Sequence, residues 1–266
     1  MIKRREFLSS LLAVSLAGQT KPPARTAKVT PLFKSPDRNP NGLEASEEGL
    51  WIGEQTTDRA YMVNWTNGYV MRSVQTESSN TSGIAYGGGF LWMAANGPSH
   101  GRPPKPSDAK TGEVIKADPW TGRTLGRYPI PGGGGVHGLE FAEGTLWITS
   151  LKLQKLSQVD PKDFRVIQQI PVHLGRAHGL AWDPPGPAEL RIPWIWCMHS
   201  DDRVIHKLNP HSGLLLEVVT LSKSDPDPHG MCLYKGHLYY CDAGIAPGGG
   251  PNHSLWAGYV CRIDLA

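Results

Sequence analysis

The sequence predicts an all-β fold, a five-bladed β-propeller, with six blades as the alternative. Three observations predict it. A triplet of a small polar residue or His, then Gly, then an apolar residue recurs five times: Asn41-Gly42-Leu43, Ser82-Gly83-Ile84, His137-Gly138-Leu139, His178-Gly179-Leu180 and His229-Gly230-Met231. Its glycines stand 41, 55, 41 and 51 residues apart. Each triplet opens a short strand, and a Gly-containing turn and an aromatic strand follow: LWIGE, LWMAA, LWITS, IWCMH and LYYCD. Four short strands in roughly 40 residues is the pattern of a propeller blade. A β-sandwich also has many short strands, but it has no reason to repeat a triplet.

The elements follow in chain order. Residues 1–18, MIKRREFLSSLLAVSLAG, read as an export leader, with a basic start followed by an apolar run too short to span a bilayer. Arg4-Arg5-Glu6-Phe7-Leu8 resembles the twin-arginine export motif, with Lys3 where that motif usually has Ser or Thr. An ordinary general-export signal is the alternative. Residues 19–26 read as a linker and 27–266 as one propeller domain. The strand AKVTPLFKS, residues 27–35, precedes the first triplet and belongs to no blade of its own. The fifth unit ends on its third strand, GYVCRIDL, and lacks an outer one, so the N-terminal strand is expected to close the ring. Third strands are RAYMVNW, EVIKADP, KLSQVDP and RVIHKLNP, and DPWTGR and NPHSGL are turns into fourth strands. The longer spacings carry the insertions GPSHGRPPKPSDAKTG and PPGPAELRIP.

Composition limits function. Charged residues are 19% and the net charge is +3, which gives no electrostatic case for nucleic acid or an acidic membrane surface. The expected molecule is exported, periplasmic or extracellular, monomeric, and not inserted in a membrane once the leader is cleaved. Cys197, Cys232, Cys241 and Cys261 lack zinc-ribbon spacing and read as buried thiols, with a disulfide among the last three as the alternative. Trp51, Trp92, Trp147 and Trp196 read as packing between blades.

Two rings of positions are expected at one mouth of the central channel. The first residues of the triplets form one: Asn41, Ser82, His137, His178 and His229. The ends of the second strands form the other: Glu54, Ala95, Ser150, His199 and Asp242. Loops 96–112 and 244–256 and the PGGGG run are expected to cover the same face. His137, His178 and His229 are the candidate metal ligands. Neutral imidazoles with a carboxylate suit one divalent ion such as Zn, Mn or Fe. His199, Asp242 and Glu54 are the candidate catalytic residues, acting as bases or acids near neutral pH. The structural alternative is that His-Gly is a turn device and that Glu54 pairs with Arg59. His173, His206 and His211 read as surface. No nucleophile elbow, phosphate loop or HExxH motif is present.

The repeat, with Glu54 in LWIGE and the His-Gly-Leu starts, resembles the virginiamycin B lyase family. It also resembles the broader NHL and SMP-30/gluconolactonase-like propellers. The resemblance spans residues 41–264 and implies a lyase or lactonase-like hydrolase acting on a small cyclic ester or sugar-derived substrate. That lyase has seven blades and a magnesium-assisted, His-based elimination. Five blades here and a single recurring-type Glu mean that its catalytic residues do not transfer by position. Five-bladed glutamine cyclotransferases resemble this chain in blade count only. The alternative function is a non-catalytic propeller that binds a ligand or protein.

Overall fold

The computed structural model describes residues 21–185, 192–246 and 249–265. The leader at 1–18 and most of the fourth-blade insertion lie outside them. The described residues form twenty strands and one 3-10 turn, Leu151–Leu153. Three blades are complete four-stranded meanders: β2–β5 (Pro40–Gln75), β6–β9 (Thr81–Pro129) and β10–β13 (Val136–Pro171). The fourth is β14–β17 (Ala177–Thr220), and the fifth is β18–β20 (Met231–Leu265) completed by β1 (Ala24–Lys34).

The N-terminal strand closes the ring. Residues from Ala27 to Lys34 pair antiparallel with Leu265 to Tyr259, in the register expected for the missing outer strand. The strand starts earlier than the sequence reading placed it. Ala24, Arg25 and Thr26, inside the stretch read as linker, pair in parallel with Val218, Val219 and Thr220 on the outer strand of the fourth blade. One strand therefore ties the last two blades together.

The blades meet through the aromatic second strands. Trp51 packs on Tyr86 at 5.8 Å between ring centroids, Trp92 on Phe141 at 6.3 Å and Trp147 on Trp182 at 6.4 Å. Each tryptophan thus reaches the inner strand of the next blade. All four cysteines are buried and free, as burial of small apolar thiols requires no partner.

The triplet glycines have a steric reason. None has a positive φ, so freedom of the backbone is not what selects them. A Cβ on Gly83 would lie under 3.0 Å from the carbonyl of His137, and one on Gly138 equally close to the carbonyl of His178. Gly179 faces the backbone of Met231, Gly230 that of Gly42, and Gly42 that of Ile84 at 2.6 Å. Each blade's glycine is pressed on the next blade's triplet around the whole ring. At the same point the inner strands of the first four blades carry a bulge, which turns the preceding residue toward the channel.

Gly83→Ala is expected to cost about 1–3 kcal/mol, because backbone rather than a flexible side chain must move. Gly175→Ala, with ordinary φ and nothing near the added carbon, is the control and stays within about 0.5 kcal/mol. Urea unfolding of the two variants compares them. Equal stability would remove the close-approach explanation.

Candidate functional site at the channel mouth

The three triplet histidines meet. His137 and His178 stack with centroids 4.3 Å apart, and His229 meets His178 edge-on at 4.8 Å. All three are buried. Thr149 Oγ1 accepts the N–H groups of His137 and Gly138, both at 2.9 Å, which satisfies the bulge. On the opposite side of the ring the polar Asn41 and Ser82 side chains are in contact at 3.5 Å.

A hydrogen-bonded chain runs through this cluster. His229 Nε2 lies 3.2 Å from Asp227 Oδ2, and His229 Nδ1 lies 3.2 Å from His178 Nε2. Asp227 Oδ2 accepts from His229 Nε2–H, and the facing His229 Nδ1 and His178 Nε2 share one proton between them. Asp227 is a carboxylate held below its ordinary range. Burial opposes this, and the His229 hydrogen bond, the His229 charge, Asn252 and Arg203 outweigh burial. Arg203 Nη1 contacts Asp227 Oδ1 at 3.2 Å.

Burial keeps the other two imidazoles neutral. It lowers His137 to about 3, with the charges of Arg176 and His229 adding to the effect. His178 is pushed well below its usual value by burial, then by His137, His229 and Arg176. The Nδ1 atoms of both rings are buried without a partner.

A cavity of about 240 Å³ opens over the cluster, lined by Asn41, Gln55, Asn80, Asn96, His137, Arg176 and His229, with His100, Ile245, Ala246 and Gly249 from the two long loops. The loops meet where Gly249 packs on His100, so both cover this mouth as expected. Arg102 anchors the first loop through Asp58 and Asp108. Arg176 contacts Asp201 at 2.9 Å and reaches both this cavity and a neighbouring one that Asp227 lines.

Three expected catalytic residues have other tasks. Glu54 accepts the backbone N–H groups of Asn39, Thr56 and Thr57, each at 2.7 Å, and so clamps its own turn. Arg59 bonds Ser73 instead of Glu54. Asp242 accepts from the N–H groups of Asp227 and Gly244, both at 2.9 Å, and from Asn252 Nδ2 at 2.8 Å, which fixes the loop over the mouth. Buried acids facing several unpaired N–H groups become acceptors for them. His199 packs on His206 at 4.4 Å between centroids, away from the triplet cluster. His206 itself is buried, not on the surface.

The metal expectation fits the geometry poorly. Stacked rings direct their in-plane lone pairs alongside one another rather than toward a shared ion, and His229 Nδ1 and His178 Nε2 face each other directly. Among the described residues no three His, Cys, Asp or Glu side chains are arranged to hold a metal ion.

The residues missed by sequence reasoning sit in the same register. Two positions before each triplet are Asn39, Asn80, Gly135, Arg176 and Asp227, a third ring at this mouth. One position beyond each triplet are Glu44, Ala85, Glu140, Ala181 and Cys232, deeper in the fold. Burial raises Glu140 to about 8, partly offset by the Trp182 backbone. Glu44 is raised well above its usual value, by burial and then by Glu140.

No family model matches the sequence, and no curated protein matches it. Among solved structures, a glutaminyl cyclase of Myxococcus xanthus superposes with a TM-score of 0.64 at 14% identity, over 92% of this chain and 98% of that one. A luciferin-regenerating enzyme matches with a TM-score of 0.48 at 14% identity, over 89% of this chain and 95% of that one. The WD40 propeller domain of Doa1 gives 0.47 at 13%, over 79% and 64%. At 14% identity the similarity to the glutaminyl cyclase is one of fold: the chain is a β-propeller.

Glu140 sets a pH dependence with a definite sign. Its acid form is favoured in the folded state, so stability is fully present below the unfolded value near 4.5 and is lost as pH rises through about 8. Glu140→Gln should flatten this decline by up to about 1.4 kcal/mol per pH unit. Urea midpoints from pH 4.5 to 9 measure it, and identical slopes in both proteins would overturn the assignment.

Proposed function

We propose that the protein is an exported β-propeller enzyme that performs proton-transfer chemistry, elimination or hydrolysis, on a small cyclic ester or sugar-derived substrate at the His-lined mouth. The observation that carries this reading is the Asp227–His229–His178 chain at a cavity lined by amides and by Arg176. Carboxylate-backed imidazole is a general base suited to neutral pH. Asp227 retains the Nε2 proton and stabilises the imidazolium. Arg176 and the amides of Asn41, Asn80 and Asn96 are the donors that would meet a carbonyl oxygen as it gains charge. Neutral His137 completes the wall without adding competing positive charge. No step is assigned to a metal, because the three rings do not converge on one point.

A second reading, a ligand-binding propeller without catalysis, rests on the opposite face. A cavity of about 740 Å³ there is lined by Tyr86, Trp182, Leu233 and Tyr234 with Glu47, Glu48 and Lys235 at its edge. A ligand held only there would leave the histidine mouth without chemistry.

A panel of γ- and δ-lactones and sugar lactones, followed by proton release and by absorbance of unsaturated products, tests the first reading. At least one is expected to turn over, with His229→Ala and Asp227→Asn each lowering kcat/KM by roughly a hundredfold or more. Turnover untouched by both variants would overturn the assignment of the chemistry to Asp227 and His229, and binding of these compounds without any turnover would favour the second reading. The export part of the proposal has its own check. Replacing Arg4 and Arg5 with Lys should leave folded precursor in the cytoplasm, and undiminished exported protein would indicate the general route.

A further inference from the structure

The inner strands carry a second chemical layer away from the histidine mouth. Glu44 and Glu140 stand one position past their triplets, on β2 and β10, and these two strands approach each other across the channel. The next residues along the inner strands, among them Ala45, Tyr86, Trp182 and Leu233, line the cavity of about 740 Å³ at the opposite mouth. The two carboxyls lie directly behind that lining. Glu44 accepts from the backbone N–H groups of Ala45 and Tyr86, and Glu140 accepts from that of Trp182. Both side chains are buried, and each feels the other strongly enough that Glu140 helps to keep Glu44 protonated.

This layer lacks a positive partner. Glu44 Oε2 is buried without any hydrogen-bond partner, and no basic side chain acts on either carboxyl. A buried polar atom left unpaired in a low dielectric is costly, so the pair calls for a donor. The cavity walls are suited to a cation. Tyr86 and Trp182 rest on Trp51 and Trp147 at 5.8 and 6.4 Å between centroids and turn their remaining surface to the cavity. Aromatic faces attract ammonium groups. Lys235 already uses this chemistry at the rim, with Nζ 5.0 Å from the centroid of Tyr234. Exposed Glu47 and Glu48 stand on the same rim, so its glutamates outnumber its lysine.

We propose that this cavity binds an organic primary ammonium with an apolar body, its nitrogen directed at the Glu44–Glu140 pair and its body held against Tyr86 and Trp182. The proposal rests on the cavity of the second reading above, and it holds whether or not the histidine mouth is catalytic. An ammonium supplies N–H donors for the unpaired carboxyl oxygen and a charge that the aromatic faces and the glutamate rim both favour. An anion would meet two buried carboxyls and an acidic rim. The size lies within the range of small-molecule sites. Burial first, and then mutual repulsion, raises the pair, so a cation beside it favours ionisation and its entry releases a proton. The other titratable group facing the pair is Cys232 of β18, which burial keeps as a thiol. Glu47, Glu48, Asp183 and Lys235 are the charges at the rim.

Calorimetric titration of the full chain with three probes of one shape tests it: 2-phenylethylamine, the neutral 2-phenylethanol and the anionic 3-phenylpropionate. The amine is expected to bind at one site at least about tenfold more tightly than the alcohol, and the anion not at all. Titrations at pH 7 in two amine-free buffers of different ionisation enthalpy should show release of about one proton per amine bound. Glu44→Gln should weaken the amine at least about tenfold and leave the alcohol unchanged, with circular dichroism showing that the variant is folded. Glu47→Gln with Glu48→Gln, at exposed positions that do not threaten the fold, should weaken the amine about threefold and reduce its salt dependence. His229→Ala should change none of this. Equal affinity for amine and alcohol overturns the cation assignment while leaving the cavity of the second reading in place. Absence of binding by all three probes overturns both. Amine binding indifferent to Glu44→Gln, or lost with His229→Ala, overturns the placement at this mouth.

Discussion

The contact on which the molecule depends is between backbones. Five glycines, Gly42, Gly83, Gly138, Gly179 and Gly230, each press on the inner strand of the following blade, where no Cβ fits. A side chain at these positions would push the blades apart along the whole channel wall. Because the inner strands approach so closely, the residues just before the glycines crowd one mouth. That crowding brings His137, His178 and His229 to within 4.3 and 4.8 Å of one another in sequence around the ring. It also removes them from water, which is the first cause of the lowered values of His137 and His178.

The same tightness gives the interior an electrostatic gradient. Near the mouth, burial favours the uncharged form of bases, and the carboxylate of Asp227 is retained because His229, Asn252 and Arg203 all address it. One step deeper, Glu44 and Glu140 have no basic side chain among the causes of their shifts, and burial holds them as acids. Farther still, the opposite mouth is framed by Tyr86, Trp182 and Tyr234. A polar substrate and an apolar ligand would therefore prefer opposite ends of the fold.

Loops give the symmetric scaffold its individuality. The two that cover the histidine mouth are held by charges, Arg102 bridging Asp58 and Asp108 in one and Asp242 gathering Gly244 and Asn252 in the other. Asn252 also reaches Asp227 Oδ2 at 3.3 Å, the same oxygen that meets His229. The loop over the mouth and His229 thus meet at one carboxylate oxygen. Closure of the ring by β1 fixes the fifth blade, and with it the strand that leads out of this lid.

The sequence by itself determined the blades, their order, the closing strand and the meeting of the triplet histidines. These follow from a repeat, and a repeat in a closed ring must place equivalent residues around one axis. The tryptophans were legible for the same reason, since each faces the next copy of its own environment. Tertiary structure alone decided what the non-repeating polar residues do. Glu54 and Asp242 share a register position, but local turns left backbone N–H groups beside them, and those groups claimed the carboxylates. His199 shares it too, and its ring meets His206 of the neighbouring strand, 4.4 Å away between centroids. Asp227 and Arg176 stood two residues ahead of their histidines in plain view. Register gives height along the channel, but only the folded loops decide which charge faces which nitrogen.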